Sequence, residues 1–300
     1  MRESPVSLTI DLFADGVQHG FFKLPISTDE SAWGAVMTPI SVIANGEGPT
    51  VLLTGGNHGD EYEGITALYK LAARLTAEDV QGRVIIVPTM NALAAKAGRR
   101  CSPLDGGNLN RSFPGSPTGG PTEQIADYFT RVLVPQCDYA LDLHSGGRTL
   151  DLLPFAATHR MADREFEARC LAAATAFGAP YTLFMAELEG DVLYDSVVEA
   201  GGKVFVSTEL RGGGTTTPET VALAERGVDN LLRFAGILPG DPEVVASQAL
   251  EIPGSEYYRV SEHRGLLEFA VALGDAVRAG DVLARVHSLE RTGEAPVEYY

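Results

Sequence analysis

The spacing of apolar and polar positions changes repeatedly along the chain, and each change marks an element. In "EYEGITALYKLAARL" (61–75), apolar side chains at 65, 68, 71, 72 and 75 fall on one face of a helix. Two apolar runs, 39–44 and 50–54, flank the Asn- and Gly-rich turn of "PISVIANGEGPTVLLTGG", a pattern that predicts a β-hairpin. "RVIIVPTMN" (83–91), "YALDLH" (139–144) and "KVFVSTEL" (203–210) read as short strands. Helices are predicted over 121–135, opening at Pro121 with Thr122 and Glu123, over 162–178, ended by Gly178, and over 218–235, before Gly236. Strands alternating with helices define an α/β fold, a mixed, largely parallel sheet with helices on both faces. Composition shifts over 239–255, a predicted linker, and short β-runs follow with turns at Gly274-Asp275 and Gly280-Asp281. The expected organisation is therefore a large domain over 1–245 and a β-rich, barrel-like module over 250–300. That module stops at "APVEYY", where a closed barrel takes further strands, and it is expected to be truncated.

Composition narrows the class. Apolar residues form 45% of 300 positions, enough for a large core, and no window is apolar for long enough to span a bilayer. The N-terminus "MRESPVSLTIDLFADG" lacks the basic start and apolar centre of a signal peptide, so a cytoplasmic location is expected. A net charge of −17 argues against nucleic acid and anionic membranes as partners. Cys101, Cys137 and Cys170 form no C-x-x-C pair and are expected as reduced thiols.

The polar residues left at strand ends carry the chemistry. His58 follows the run at 50–54, His144 ends 139–144, and Glu209 ends the strand within 203–210. Ligands of open α/β sheets sit beyond the carboxyl ends of strands, so these residues are expected to converge on one rim. Gly55-Gly56 lack a following G-K-[ST] and a spaced G-x-G-x-x-G, which leaves a phosphate loop unsupported. A catalytic zinc needs three protein ligands and an open position; His58 and Glu61, three apart, and the distant His144 supply the three. Glu209 is then the free carboxylate for general base work, against a plain strand-end acid. Asp142 shares a strand face with His144 and either orients it or makes a local hydrogen bond. In "NLNRSFPG", Asn110 and the forked guanidinium of Arg111 suit a substrate carboxylate, while Arg100, or its neighbour Arg99, can face a developing oxyanion.

"GGNHGDEYEG", "NLNRSFPG", "LDLHSGG" and "STEL", in this order, resemble the succinylglutamate desuccinylase/aspartoacylase family, a branch of the zinc carboxypeptidase fold. The likeness covers about residues 35–240. It implies a zinc-dependent amidohydrolase that removes an acyl group from a small N-acyl amino acid, with one zinc ion per chain on His58, Glu61 and His144. It further implies Asn110 and Arg111 on the substrate carboxylate, Arg100 on the scissile carbonyl, and Glu209 as general base. One segment departs from members that take acidic substrates: "YTLFMAELEGDVLYDSVVE" (181–199) has no Lys or Arg but carries Glu187, Glu189, Asp191, Asp195 and Glu199. That composition disfavours a second substrate carboxylate and favours a neutral acyl group on a basic amino acid such as 2,4-diaminobutyrate, with Glu187 as a substrate-binding candidate. The competing readings are a zinc carboxypeptidase acting on peptides and a binding protein that kept its metal site. The C-terminal module resembles lipoyl-type barrels, yet no Lys follows Lys203 to carry a prosthetic group, so a covering or homo-oligomerising role is expected.

Overall fold

The computed structural model describes residues 3–185, 192–252 and 254–300, in two compact units, Met1–Glu251 and Ile252–Tyr300. The first unit opens with strands β1 (Ser7–Leu8), β2 (Gly16–Thr28), β3 (Ser31–Asn45) and β4 (Thr50–Gly55), followed by helix α1 (Tyr62–Arg74) and β5 (Gly82–Val87). Next come α2 (Ala92–Ala97), α3 (Pro121–Tyr128), β6 (Tyr139–His144), β7 (Phe155–His159) and α4 (Arg164–Phe177). The order closes with β8 (Tyr181–Met185), α5 (Tyr194–Ala200), β9 (Val204–Glu209), α6 (Pro218–Phe234) and β10 (Gln248–Ile252).

These strands form one ten-stranded sheet, β1-β2-β3-β5-β4-β6-β9-β7-β8-β10. Its centre, β5-β4-β6-β9, is parallel, and antiparallel pairs flank it at β3–β5 and β9–β7. The predicted mixed α/β sheet is thus the observed one. Central strands alternate between two cores. Val51, Leu53, Leu141 and Leu143 pack with α1, α4 and α6, whereas Leu52 and Ala140 pack with Phe129, Leu133 and the inner face of β2–β3. Burial on both faces explains why these strands read as continuous apolar runs rather than alternating ones.

Helices begin and end where the side chains dictate. Asp163 caps α4 by accepting from the Glu165 and Phe166 amides, and Thr217 caps α6 by accepting from Thr220 N, with Pro218 as its first residue. Among the described residues no helix is long and apolar enough to cross a membrane.

The hairpin expectation fails. Runs 39–44 and 50–54 lie in β3 and β4, but β5 is inserted between them, antiparallel to β3 and parallel to β4. The turn between them accommodates β5 closely: a Cβ on Gly48 would stand 2.8 Å from Gly82 Cα at the start of β5. The hairpin partner of β3 is β2, which pairs with it from Gly16↔Ala44 to Thr28↔Ser31. The helix predicted over 121–135 is regular only through Tyr128, then widens over Phe129–Leu133 and tightens over Val134–Gln136. The predicted linker of 239–255 also contributes β10.

The second unit, taken alone, is a three-stranded antiparallel sheet of β11 (Leu266–Phe269), β12 (Ala284–His287) and β13 (Val297–Tyr299). Asp275 and Asp281 accept from the amides of Ala272 and Arg278 and close the two turns named by the Gly-Asp pairs.

Candidate active site

Register places the site. Within the parallel centre, Thr54 lies beside Asp142, Gly55 beside Leu143, and His144 beside Glu209. The three strands therefore end together, and the chain leaving β4 carries His58 and Glu61 over that rim. Glu61 is the N-cap residue of α1, yet its side chain makes no capping bond. Its carboxylate is engaged by two histidines instead. His58 Nδ1 stands 2.7 Å from Oε1 and His144 Nδ1 2.8 Å from Oε2. The Ser145 amide donates to Oε2 at 3.2 Å, and Arg100 Nη1 reaches Oε1 at 3.3 Å. All three predicted ligands are buried.

The far nitrogens of both rings are also engaged. His58 Nε2 faces Asn108 Oδ1 at 3.1 Å and His144 Nε2 faces Asp142 Oδ2 at 2.8 Å. A ring that donates through Nε2 keeps a lone pair on Nδ1, so both Nδ1 atoms are prepared as ligands. Asp142 is itself pinned, accepting from Thr54 Oγ1 at 2.9 Å and from Asn57 Nδ2 at 2.9 Å. Of the two sequence readings for Asp142, the geometry selects orientation of His144.

Electrostatics follow from burial. Desolvation is the largest influence on the Glu61 carboxyl and pushes it up, but His144 and His58 together outweigh it and hold the group at about 2. Desolvation likewise opposes charge on His144; Asp142 and Glu61 prevail and raise it well above the usual imidazole range. At His58 desolvation wins and lowers it despite the Glu61 contact. An anionic Glu61 thus sits between the two rings.

Does this arrangement fit a metal ion? One donor atom from each of His58, Glu61 and His144 can be chosen so that all lie within 4.8 Å of one another. Two imidazoles and one carboxylate are a donor set zinc takes in catalytic sites. The Nδ1 atoms and the Glu61 carboxylate converge on the place where a cation would link them, and the Nε2 partners favour the ligating tautomer. The residues fit.

Glu209 ends β9 beside this cluster. Its Oε2 is buried with no hydrogen-bond partner among the described residues. Burial pushes the carboxyl up, His144 and Arg100 only partly offset it, Glu61 and Glu63 add to it, and it settles at about 8. A buried carboxyl oxygen without a partner and with its acidity shifted, on a residue in register with His144, is a candidate functional group.

The remaining candidates separate. Arg100, not Arg99, reaches the cluster. Asn110 and Arg111 lie on a short turn, Leu109–Arg111, and Asn110 Oδ1 accepts from the Tyr194 amide at 3.2 Å, which leaves its NH2 group as the donor for a ligand. Arg111 is exposed. Glu187, with Glu189 and Asp191, lies outside the described residues. Sequence reasoning missed Asn108 and Asn57, which lie inside the motifs it quoted, and the buried Glu63, whose Oε1 accepts from Gly212 N at 3.3 Å. The signal for the two Asn residues was adjacency to His58 and Asn110; Glu63 looked like an ordinary first-turn acid.

A parallel sheet with a His-Glu-His cluster and a poised carboxylate on one rim defines a metallohydrolase-like centre, and comparison with known proteins places it. Residues 47–235 match the succinylglutamate desuccinylase/aspartoacylase catalytic domain, and the chain belongs to that family. It is 63% identical over 300 residues to the N-alpha-acetyl-L-2,4-diaminobutyric acid deacetylase of Halomonas elongata, covering 99% of this chain and 88% of that protein. The product-bound ectoine utilization protein EutE (DoeB) of Ruegeria pomeroyi is 54% identical with a TM-score of 0.98, over 100% of this chain and 91% of that one. A succinylglutamate desuccinylase from Silicibacter sp. TM1040 superposes with a TM-score of 0.97 at 54% identity, again over 100% of this chain and 91% of that one.

Proposed function

We propose that the protein is a zinc-dependent deacylase that hydrolyses the amide of Nα-acetyl-L-2,4-diaminobutyrate to 2,4-diaminobutyrate and acetate. The observation that carries this reading is the convergence of His58, Glu61 and His144 with the unpartnered Glu209 on one strand rim. The substrate assignment rests on similarity to the Halomonas elongata deacetylase and on the Lys- and Arg-free segment 181–199.

In this reading His58, Glu61 and His144 hold one zinc ion. Bound there, zinc supplies Lewis acidity, which polarises the scissile carbonyl and acidifies water to a pKa of about 7. Glu209 takes the proton from the attacking water and returns it to the leaving nitrogen, so the amine departs neutral. With a cation held on those ligands, the Glu209 carboxyl would fall from its raised value and could act as a base at neutral pH. Asn57 and Thr54 hold Asp142, and Asp142 holds His144, so the ligand geometry needs no rearrangement during turnover. Arg100 sits against Glu61 Oε1 and can swing its guanidinium toward the carbonyl oxygen as charge develops. The Asn110 amide and Arg111 guanidinium bind the α-carboxylate; of the acids in 181–199, Asp195 and Glu199 are turned to His159, and Glu187, a candidate from the sequence alone, is assigned the side-chain ammonium. A soluble cytoplasmic enzyme acting on a small molecule fits this chemistry.

Competition kinetics with zinc-loaded protein test the reading. Nα-Acetyl-2,4-diaminobutyrate is expected to outrun N-acetylaspartate and succinylglutamate in kcat/KM by about a hundredfold, the ratio that a contact difference near 3 kcal/mol gives. Glu209→Gln is expected to keep metal and lose about 10²–10⁴ in turnover. Faster release of a C-terminal residue from peptides than of acetate would mean a carboxypeptidase instead.

A further inference from the structure

The turn that follows Glu209 has a bend that only its surroundings can maintain. Arg211, two residues on, has a φ of 135° and is the one non-glycine residue with a positive φ among the described residues. That region suits glycine, and another residue stays there only when its neighbours fix it. Leu210 N donates to His144 O at 3.0 Å, and Arg211 O accepts from Gly146 N and Leu152 N, each at 3.1 Å. Gly213 N donates to Leu150 O at 2.9 Å and Gly214 N to Gly147 O at 2.7 Å. The turn after Glu209 is thus zipped to the loop after His144. The Arg211–Asp151 ion pair, at 3.1 Å and about half exposed on both sides, is too well solvated to hold the bend by itself.

One amide of the turn finds no acceptor in that loop. Asp151 and Gly212 face each other in an antiparallel bridge whose bonds run through their neighbours, from Leu152 N to Arg211 O and from Gly213 N to Leu150 O. Residues facing each other in such a pair exchange no bonds, so the Gly212 N–H points away from the partner loop. Gly212 is buried, and a Cβ on it would stand 2.3 Å from Leu150 O, which leaves the turn no room to shift that way. Its amide meets Glu63 Oε1 at 3.3 Å, across 149 residues of chain. Glu63 lies in the first turn of α1, two residues after Glu61, and is 1% exposed. A carboxyl buried that deeply is costly without a hydrogen bond, and this bond is to the Glu209 turn.

We propose that Glu63 is a positioning residue for Glu209. The inference rests on the functional reading above, in which Glu209 is the general base. The start of α1 then fixes both halves of the site: Glu61 faces the metal position, and Glu63 anchors the turn that aims the base. Without the Glu63 acceptor the buried Gly212 N–H is left unpaired, which is costly, and Arg211 is free to leave its strained bend. Glu209, two residues before it, turns with the chain.

Glu63→Ala and Glu63→Gln separate this role from a purely structural one, because Gln keeps an accepting oxygen. In zinc-loaded protein, assayed on Nα-acetyl-2,4-diaminobutyrate well below each melting temperature, Glu63→Ala is expected to lose about 10–100-fold in kcat, the effect of a small misplacement. KM and zinc affinity should stay at the parent's values, and Glu63→Gln should keep most of the turnover. Amide exchange in metal-free protein reads the same bond without any assay of activity. Gly212 should be protected in the parent and in Glu63→Gln, and should exchange about tenfold faster or more in Glu63→Ala. Arg211→Gly, which takes that φ without strain, should recover part of kcat in the Glu63→Ala background. Parental kcat in Glu63→Ala overturns the proposal. So does an equal loss in the Ala and Gln variants, a loss confined to KM or zinc affinity, or an unprotected Gly212 amide in the parent. A parent that cleaves no N-acyl amino acid overturns the functional reading, and the role in turnover with it; an active parent matched by Glu63→Ala overturns the role of Glu63 alone.

Discussion

At the scale of single residues, the site is a compromise between stability and chemistry that pH exposes. Glu209 sits at about 8 because it is buried without a partner, while in an unfolded chain it ionises near its ordinary value of 4.5. Between those values the unfolded state has lost the proton and the folded state still holds it. Unfolding therefore releases a proton, and rising pH drains stability from the folded protein across that window. In metal-free protein, Glu209→Gln is expected to melt higher than the parent at pH 8, with the gap closing toward pH 4.5. A melting curve of both proteins across that range checks it; a gap that grows toward acid would mean that the carboxyl is ionised in the fold. Asp142→Asn tests the other end of the site. The His144 Nε2 contact at 2.8 Å keeps Nδ1 free for a ligand, and losing it is expected to cost about 10–100-fold in zinc affinity by chelator competition. Residue types and order made His58, Glu61, His144 and Glu209 legible from the sequence. Asp142 was legible only as a choice between two roles, because a strand face says which residues neighbour each other and not which atoms meet.

At the scale of elements, periodicity worked where an element carries its own signal. The α1, α4 and α6 patterns have apolar stripes, with side-chain caps on α4 and α6, and β6 and β9 are short apolar runs bounded by polar residues. Pairing was not legible. The wrong hairpin joined β3 to β4 because sequence neighbours with a turn between them usually pair, and nothing local reveals that β5 returns to lie between them. β2 was missed because its alternation is interrupted by Gly20 and Pro25 and half its residues face solvent. Packing of α1 on β6 then decides how well the site is held. Gly64 meets β6 so closely that a Cβ would stand 2.3 Å from Leu143 Cβ, one residue before the ligand His144. A Cβ added at Gly227 of α6 would stand 2.2 Å from the Phe177 ring of α4, on elements that carry none of the three candidate ligands. Both changes to Ala are expected to destabilise by about 1–3 kcal/mol, the usual cost of overpacking. Only Gly64→Ala should also weaken metal binding, since it pushes the helix that starts at Glu61 away from His144. Denaturant melts paired with zinc titrations separate the two; equal metal affinity in both variants would show that the site tolerates displacement of α1.

At the scale of the whole molecule, net charge adds to what the site itself selects. A charge of −17 surrounds the protein with a negative field that every substrate must cross. Nα-Acetyl-2,4-diaminobutyrate carries one carboxylate and one ammonium at neutral pH and is neutral overall, so the field does little to its approach. N-Acetylaspartate carries two carboxylates and is repelled before it meets any side chain. The long-range part of this discrimination is screened by salt, because the Debye length falls from about 10 Å at 0.1 M to about 3 Å at 1 M. Any part that comes from charged groups touching the substrate acts at contact distance and is screened much less. Raising sodium chloride across that range is therefore expected to raise kcat/KM for N-acetylaspartate severalfold while leaving that for Nα-acetyl-2,4-diaminobutyrate nearly unchanged. A preference for the zwitterion should persist at the highest salt. Full convergence of the two rates there would place all of the selectivity in the surface field and none in the pocket wall. Parallel salt curves for both substrates would remove the field from the account and leave the contact residues to carry the whole preference.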